Sequence, residues 1–332
     1  MQKTVPIVDI SRYLDGSDPM GVVLDIRHAA TRVGFFQVIG HGVPHALIDD
    51  ARNVARCFFA KPQNQKLVPG CVSLGEASNW RGYEYFPSDN KEAFEIGLDT
   101  QGRVDMAGRP LPLHGPNLWP ASDPNFRHTV TAYHSAVTNL ACQLLGAMAW
   151  ALGLDPRYFD AKVREPLAHL RLWRYPPHTE LAPHKDHGFL TLLLQDECYG
   201  GLQVLHRVLP TAGLVRKRSI GQDSSFSSGD SESQNIEGEV ALAKSVSQGG
   251  SESVWLDVPV IPHGFVVNVG RLFEIFCRQT FPATIHRVRH TPAMVSEPEL
   301  DKSRISLALF FAPDWNVTVA PPSALRAPAD ER

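Results

Sequence analysis

HKDHGFLTLLLQ, residues 184–195, sets two histidines and an aspartate directly ahead of a strongly apolar run. A carboxylate flanked by imidazoles beside such a run is costly to bury unless something pairs with it. Read as one strand, residues two apart share a face, so His184 and Asp186 point one way and His187 the other. Two ligand-type side chains side by side on a rigid strand make two-thirds of a metal site. An ordinary surface strand with a polar start has the same letters, so the reading depends on a third ligand, on a later strand that returns beside the first. TIHRV, 284–288, offers His286 among apolar Ile285 and Val288, and His290 shares its face if the strand runs that far. The other histidines fit less well: His41 and His45 lie in a turn, His206 adjoins a polar stretch, and His263 sits in a Pro/Gly turn. Two histidines and one carboxylate suit non-haem Fe(II), because they leave a face of the metal open for substrate and O2.

The surrounding chain changes period near its middle. HALIDDARNVARCFFA (45–60) carries Leu47, Ala51, Val54, Ala55 and Phe58 on one helical stripe. Residues 125–152 repeat the pattern with Val130, Tyr133, Val137, Leu140, Leu144 and Met148, opened by Asp123-Pro124 and closed by Gly153. VGFFQVIGHGVP (33–44) reads as a short buried strand running into a turn. From about residue 168 the period is two: LRLWRY, FLTLLLQ, GLQVLH, VWLDVPV, GFVVNVG, TIHRVRH and RISLALFF are short strands parted by Gly, Pro and polar breaks. Helices followed by many short strands fit an α+β chain, a β-sandwich or jelly roll with packed helices.

One stretch fits neither half. Residues 216–253 hold eleven serines among 38 residues, too little apolar surface to offset the entropy of ordering, so they read as a disordered insertion. Its flanks, GLQVLH and VWLDVPV, are otherwise neighbouring strands, and three doublings of loop length cost roughly 0.6 kcal/mol each. Arg216-Lys217-Arg218-Ser219 has the form of a basophilic kinase site or import patch, but reads first as the solvated basic end of a loop.

Bulk properties narrow the function classes. A net charge of −3 and no basic stripe argue against nucleic acid as partner. No apolar run reaches membrane-spanning length. The opening MQKTVPIVDISRYLDG has Pro6 and Asp9 where a signal peptide needs its apolar core. Cys57, Cys71, Cys142, Cys198 and Cys277 are odd in number and lack C-x-x-C spacing, the pattern of free thiols in a reducing compartment. The expectation is a cytoplasmic, monomeric protein.

RISLALFFAP, 304–313, adds a second function-bearing element. Arg304, Ser306, Ala308 and Phe310 share a strand face, and an Arg with a Ser two residues on takes a carboxylate bidentately with an added hydroxyl hydrogen bond.

With these residues in place the chain resembles the isopenicillin N synthase-like family of Fe(II)/2-oxoglutarate-dependent oxygenases. The matching motifs run in order: VPIVDIS (5–11), VGFFQVIGHGVP (33–44), RGY (81–83), KEAFEIG (91–97), RYPP (174–177), HKDHGFLTLLLQD (184–196), GGLQV (200–204), GFVVNVG (264–270), TIHRV (284–288) and RISLALFFAP (304–313). The resemblance implies a double-stranded β-helix (jelly-roll) core with N-terminal packed helices, and Fe(II) held by His184, Asp186 and His286. It also implies 2-oxoglutarate bound with its far carboxylate on Arg304 and Ser306 and reached by Tyr175. Trp173 and Arg171 share the face of Tyr175 by alternation and are candidates for the substrate pocket, as is Phe310. Residues 1–120 then form the N-terminal region, 121–165 a long supporting helix, and 166–320 the core, interrupted at about 210–253. The expected enzyme uses Fe(2+), 2-oxoglutarate and O2, with ascorbate as a possible reductant, to hydroxylate, desaturate or cyclise a small-molecule metabolite with release of succinate and CO2. A 2-oxoglutarate-independent iron oxidase of the same family and a non-catalytic jelly-roll binding protein are the alternatives. The chain departs from many relatives at Gly270-Arg271, where they carry Gly-Asp, and in the Ser-rich insertion.

Overall fold

Helix and strand signals in the first half are anchored by capping chemistry. The computed structural model describes residues 4–73, 80–100, 103–105, 107–109, 111, 113–208, 252–289 and 303–325. Strand β1 (Ile7–Asp9), helix α1 (Ser11–Leu14) and helix α2 (Pro19–Arg32) open the chain. Asp18 caps α2 by accepting from the Gly21 amide at 2.9 Å, with Pro19 at the first helical position. Strand β2 (Phe35–Ile39), helix α3 (His45–Ala60), helix α4 (Gln63–Lys66), and strands β3 (Gly82–Phe86) and β4 (Lys91–Ile96) follow. Helix α5 (Pro124–Ala151) is capped by Asp123, which accepts from the Phe126 amide at 3.0 Å. All six residues of its expected stripe are buried. In α3 the buried face is Ile48, Ala51, Ala55 and Phe58, with Leu47 and Val54 only half-buried at its edge.

The second half is strand after strand: β5 (Leu167–Tyr175), β6 (Leu181–His184), β7 (Leu190–Leu194), β8 (Leu202–Val208), β9 (Glu252–Asp257), β10 (Phe265–Val269), then helix α6 (Arg271–Phe276), β11 (His286–Val288) and β12 (Arg304–Ala312). They form two sheets. The larger runs β1-β2-β10-β7-β12-β5-β4-β3 and the smaller β6-β11-β8-β9. This is the expected mixed α+β jelly roll, enlarged by strands from both halves of the chain. Val258 donates its amide to Leu202 O at 2.9 Å, and Gln203 bonds Asp257 at 2.8 Å, so the flanks of the long insertion are neighbours. By its contacts the chain divides into residues 1–205 with 255–332, and residues 206–254. The stretch 216–253 lies outside the described residues except for Glu252 and Ser253, and His290 lies outside them too.

The large sheet separates two environments. Leu170, Leu172, Leu192, Leu194, Leu307, Leu309 and Phe265 belong to the main core with α2, α3 and α5. There Phe58, Tyr83, Phe94 and Phe126 form an edge-and-stack cluster joining α3, β3, β4 and α5, each ring worth about 1.5–3 kcal/mol of burial. The opposite face is more polar. Along β12 and β5, Arg304, Ser306, Ala308 and Phe310 stand opposite Tyr175, Trp173, Arg171 and His169. Phe310 also faces Thr191 of β7, which faces Asn268 of β10, which faces Phe35 of β2. A smaller apolar cluster, including Phe35, Val266, Val204 and Val288, fills the space between the sheets. Among the described residues no helix is long and apolar enough to cross a membrane.

Candidate metal centre and co-substrate site

The two outer histidines meet because β6 and β11 pair antiparallel with His286 directly opposite His184. Their ring centroids are 4.2 Å apart. Asp186 comes from elsewhere. Residues 185–189 carry the chain from the small sheet to the large one, and Asp186 lies in that connection. This corrects the expectation that His184 and Asp186 share a face of one strand: a crossover, not strand alternation, brings them together. The connection is fixed by the start of α6, whose amides need acceptors. Gly270 N donates to Phe189 O at 2.9 Å, Arg271 N to Asp186 O at 2.9 Å and Leu272 N to His187 O at 3.0 Å. Gly270 and Arg271 thus hold the connection through their backbone amides.

Close approach of the two backbones makes Gly270 necessary. A Cβ there would stand 2.1 Å from the carbonyl oxygen of Gly188, so any side chain pushes the Asp186 connection outward. Gly270→Ala is expected to lower both the thermal midpoint and Fe(II) affinity, read by thermal denaturation and metal titration. Unchanged values for both would contradict this account of the connection.

Three ligand atoms converge. Asp186 Oδ1 is 3.9 Å from His184 Nε2 and 3.8 Å from His286 Nε2, too long for hydrogen bonds. One atom from each residue lies within 4.8 Å of the others, the one such group of three or more among the described residues. The remaining valences are oriented. His184 Nδ1 is 2.8 Å from Ala182 O, and His286 Nδ1 is 3.2 Å from Thr284 O. Each Nδ1 donates to a carbonyl, so each Nε2 presents its lone pair to the shared space. Asp186 Oδ2 accepts from Thr191 Oγ1 at 2.6 Å and from Asn268 Nδ2 at 2.9 Å, turning Oδ1 toward the imidazoles. His286 is buried and edge-on to Phe35. Burial, opposed by Asp186, pushes its pKa down and favours the neutral ligand form. His184, 45% exposed at its side chain, marks the open side of the group. His187 is exposed and contributes no ligand atom to the group.

Nothing in the sequence marks Thr191 and Asn268 for this role, except that Asn268 stands in a strand buried at all five positions. Removing either donor, by Thr191→Ala or Asn268→Ala, should weaken Fe(II) binding about 10- to 100-fold. An unchanged affinity by anaerobic titration would show that the Asp186 carboxylate does not need them.

The candidate co-substrate residues lie on β12 and β5. Arg304 stands opposite Tyr175, with its guanidinium carbon 4.2 Å from the centre of that ring. Ser306 is buried beside it. Arg304 Nη2 is buried with no hydrogen-bond partner. A buried guanidinium donor left unmatched costs more than most polar defects, and a carboxylate supplies what it lacks. Burial lowers the pKa of Arg304 and raises that of Tyr175 to about 12, which keeps the tyrosine neutral. The donor set thus fits the far carboxylate of a dicarboxylic acid.

Comparisons with known proteins agree with this geometry. A profile for the N-terminal region of non-haem dioxygenases in morphine synthesis matches residues 5–122, and the 2OG-Fe(II) oxygenase superfamily profile matches 231–313. The 2-oxoglutarate-dependent dioxygenase citB of Monascus ruber is 30% identical over 314 residues, covering 86% of this chain and 79% of that protein. The chain belongs to the 2OG-Fe(II) oxygenase superfamily. A homoarginine-6-hydroxylase of Glycine max is 26% identical, covering 96% of this chain and 88% of its own length. Among solved structures, the dioxygenase for auxin oxidation in rice is 25% identical with a TM-score of 0.64, covering 97% of this chain and 87% of that one. A Neurospora crassa protein solved with alpha-KG and thymine is 23% identical with a TM-score of 0.68, covering 99% and 91%, which bears on the fold.

As a superfamily member the protein is a 2OG-Fe(II)-dependent dioxygenase, an oxidoreductase. The superfamily profile begins after His184 and Asp186, and it is the structure that brings these two against His286. Beyond the clamp, Trp173 stacks on Tyr175 at 5.3 Å, and the Arg171 guanidinium lies 4.9 Å from the Trp173 ring. Arg171 Nε donates to Glu95 at 2.5 Å, and Glu95 is 3.0 Å from His169 Nδ1, which Arg81 approaches at 3.1 Å. This buried charged row behind Arg171 was also not anticipated. Its signal was the pair of glutamates within KEAFEI, a strand buried at five of six positions.

Proposed function

We propose that His184, Asp186 and His286 hold Fe(II), and that Arg304 and Ser306, with Tyr175 stacked on the guanidinium, bind the far carboxylate of 2-oxoglutarate. The convergence of three ligand atoms within 4.8 Å carries the reading, and the unmatched buried Nη2 of Arg304 supports the co-substrate. When bound, the iron would supply activation of O2, whose four oxidising equivalents are spent two on converting 2-oxoglutarate to succinate and CO2 and two on a substrate C–H bond. The protein supplies placement. Asp186 contributes the negative charge, the carbonyls of Ala182 and Thr284 set the imidazole tautomers, and Thr191 with Asn268 aims the carboxylate. The crossover at 185–189 leaves the His184 side open.

Trp173, Arg171 and Phe310 line the substrate side in this proposal. They share the polar face of the large sheet with the clamp, and Phe310 stands opposite Thr191, the hydroxyl donor to Asp186. The substrate is a small-molecule metabolite, in keeping with the relatives named for homoarginine hydroxylation and auxin oxidation, and ascorbate serves as reductant. Succinate release, screened across a metabolite panel with Fe(II), ascorbate and O2, tests this. Some panel member should raise succinate above the uncoupled rate and be oxidised in equal amount. Product formation that persists when 2-oxoglutarate is omitted would overturn the co-substrate assignment.

A further inference from the structure

Arg304 begins β12 where the sheet offers its backbone least support. The β7–β12 ladder ends at the pair Leu307–Leu194, so Ile305 has no strand partner on that side. Asp196, two residues beyond β7, takes the partner's place. Its Oδ2 accepts the Ile305 amide at 2.8 Å and Arg56 Nη2 of α3 at 2.8 Å, while Oδ1 accepts the Cys198 amide at 2.9 Å. The carboxylate is fully buried. The same turn is held a second time from α3, by Arg52 on Glu197 and on the Gln195 carbonyl. At its far end the Arg304 guanidinium has a ring beneath it but nothing bonded to Nη2, so its placement depends on where the backbone of β12 starts.

We infer that Asp196 is a positioning residue for Arg304, fixing the start of β12 to the turn after β7 through the Ile305 amide so that the guanidinium fork is preset for a carboxylate. The inference rests on the reading of Arg304 as the 2-oxoglutarate clamp. Two effects of removing Asp196 oppose each other: loss of the anchor misaligns the fork, and loss of a nearby negative charge favours a dianionic ligand. The anchor dominates, because Asp196 is already matched by Arg56 and makes no hydrogen bond to Arg304.

The test is anaerobic titration of the Fe(II) protein with 2-oxoglutarate, following the visible absorption of the chelated keto acid, with the thermal midpoint of every variant measured alongside. Arg304→Ala checks the underlying reading: if it leaves the dissociation constant unchanged, the clamp assignment fails, whatever Asp196 does. Given a weakened Arg304→Ala, Asp196→Ala should raise the constant about tenfold. Asp196→Asn keeps an acceptor for the Ile305 amide and should stay within about threefold of wild type. Arg56→Ala is the control for general destabilisation. It should lower the thermal midpoint by leaving a buried carboxylate unpaired, yet leave the constant within about threefold. Wild-type affinity in Asp196→Ala overturns the inference. So does an Arg56→Ala or Asp196→Asn protein that binds as weakly as Arg304→Ala; this comparison holds even if Asp196→Ala does not fold.

Discussion

Replacing His286, Asp186 or His184 with alanine should remove Fe(II)-dependent turnover and leave the protein folded. The loss in metal affinity should exceed the about 10- to 100-fold drop that follows loss of an outer hydrogen-bonding partner, because a ligand atom itself is gone. The fold has little stake in these side chains. His184 is nearly half exposed, Asp186 sits in a connection held by backbone bonds, and His286 is held by a bond to the Thr284 carbonyl and ring contacts with Phe35 and His184. The metal-free thermal midpoint should therefore move by only a few degrees, about what 1 kcal/mol does in a domain of this size. His187→Ala should retain turnover. If His290→Ala abolishes iron binding while His286→Ala does not, the third ligand has been misassigned.

Arg304→Ala should raise the apparent 2-oxoglutarate constant by about ten- to a hundred-and-fifty-fold, the equivalent of charge-assisted bonds worth roughly 1.5–3 kcal/mol. The mechanism is specific. The alanine removes the fork, and the far carboxylate then meets the Tyr175 ring and the Ser306 hydroxyl alone. Ser306→Ala should cost less, since one neutral donor is lost. Arg304→Lys should fall between, keeping the charge without the planar fork. Initial rates at varied 2-oxoglutarate measure all three, and an Arg304→Ala enzyme with an unchanged constant would assign the carboxylate elsewhere.

What the sequence disclosed depended on how local the determining interactions were. Helix α5 was legible because its caps and stripe lie within one continuous segment: Asp123 bonds the amide three residues on, and Val130 to Met148 repeat at helical spacing. Strand β12 was legible for the same reason, with one face carrying Arg304, Ser306 and Phe310 and the other Leu307 and Leu309. The region around Asp186 was not. Period-two reasoning assumes that the strand continues, whereas it ends at His184 and gives way to a crossover, with Gly188 inside it, whose shape is set by amides of α6, more than eighty residues later. Thr191 and Asn268 were hidden in apolar runs because the acceptor that explains them, Asp186, comes from that crossover. KEAFEIG is visible as a motif but not as the strand β4, because its glutamates break alternation. Glu92 is matched by Lys66, Tyr83 and Arg174, and Glu95 by His169 and Arg171, all brought there by the fold.

The metal group and the clamp make one claim together: this chain binds Fe(II) and 2-oxoglutarate at once, the keto acid on the iron and the far carboxylate on Arg304. Anaerobic addition of 2-oxoglutarate to the Fe(II) protein tests it without any knowledge of the oxidised substrate. The account predicts a weak visible charge-transfer band that saturates at one 2-oxoglutarate per protein, is absent from Asp186→Ala, and needs more ligand to reach saturation in Arg304→Ala. Fe(II) bound by the wild-type protein with no such band at any 2-oxoglutarate concentration would contradict it.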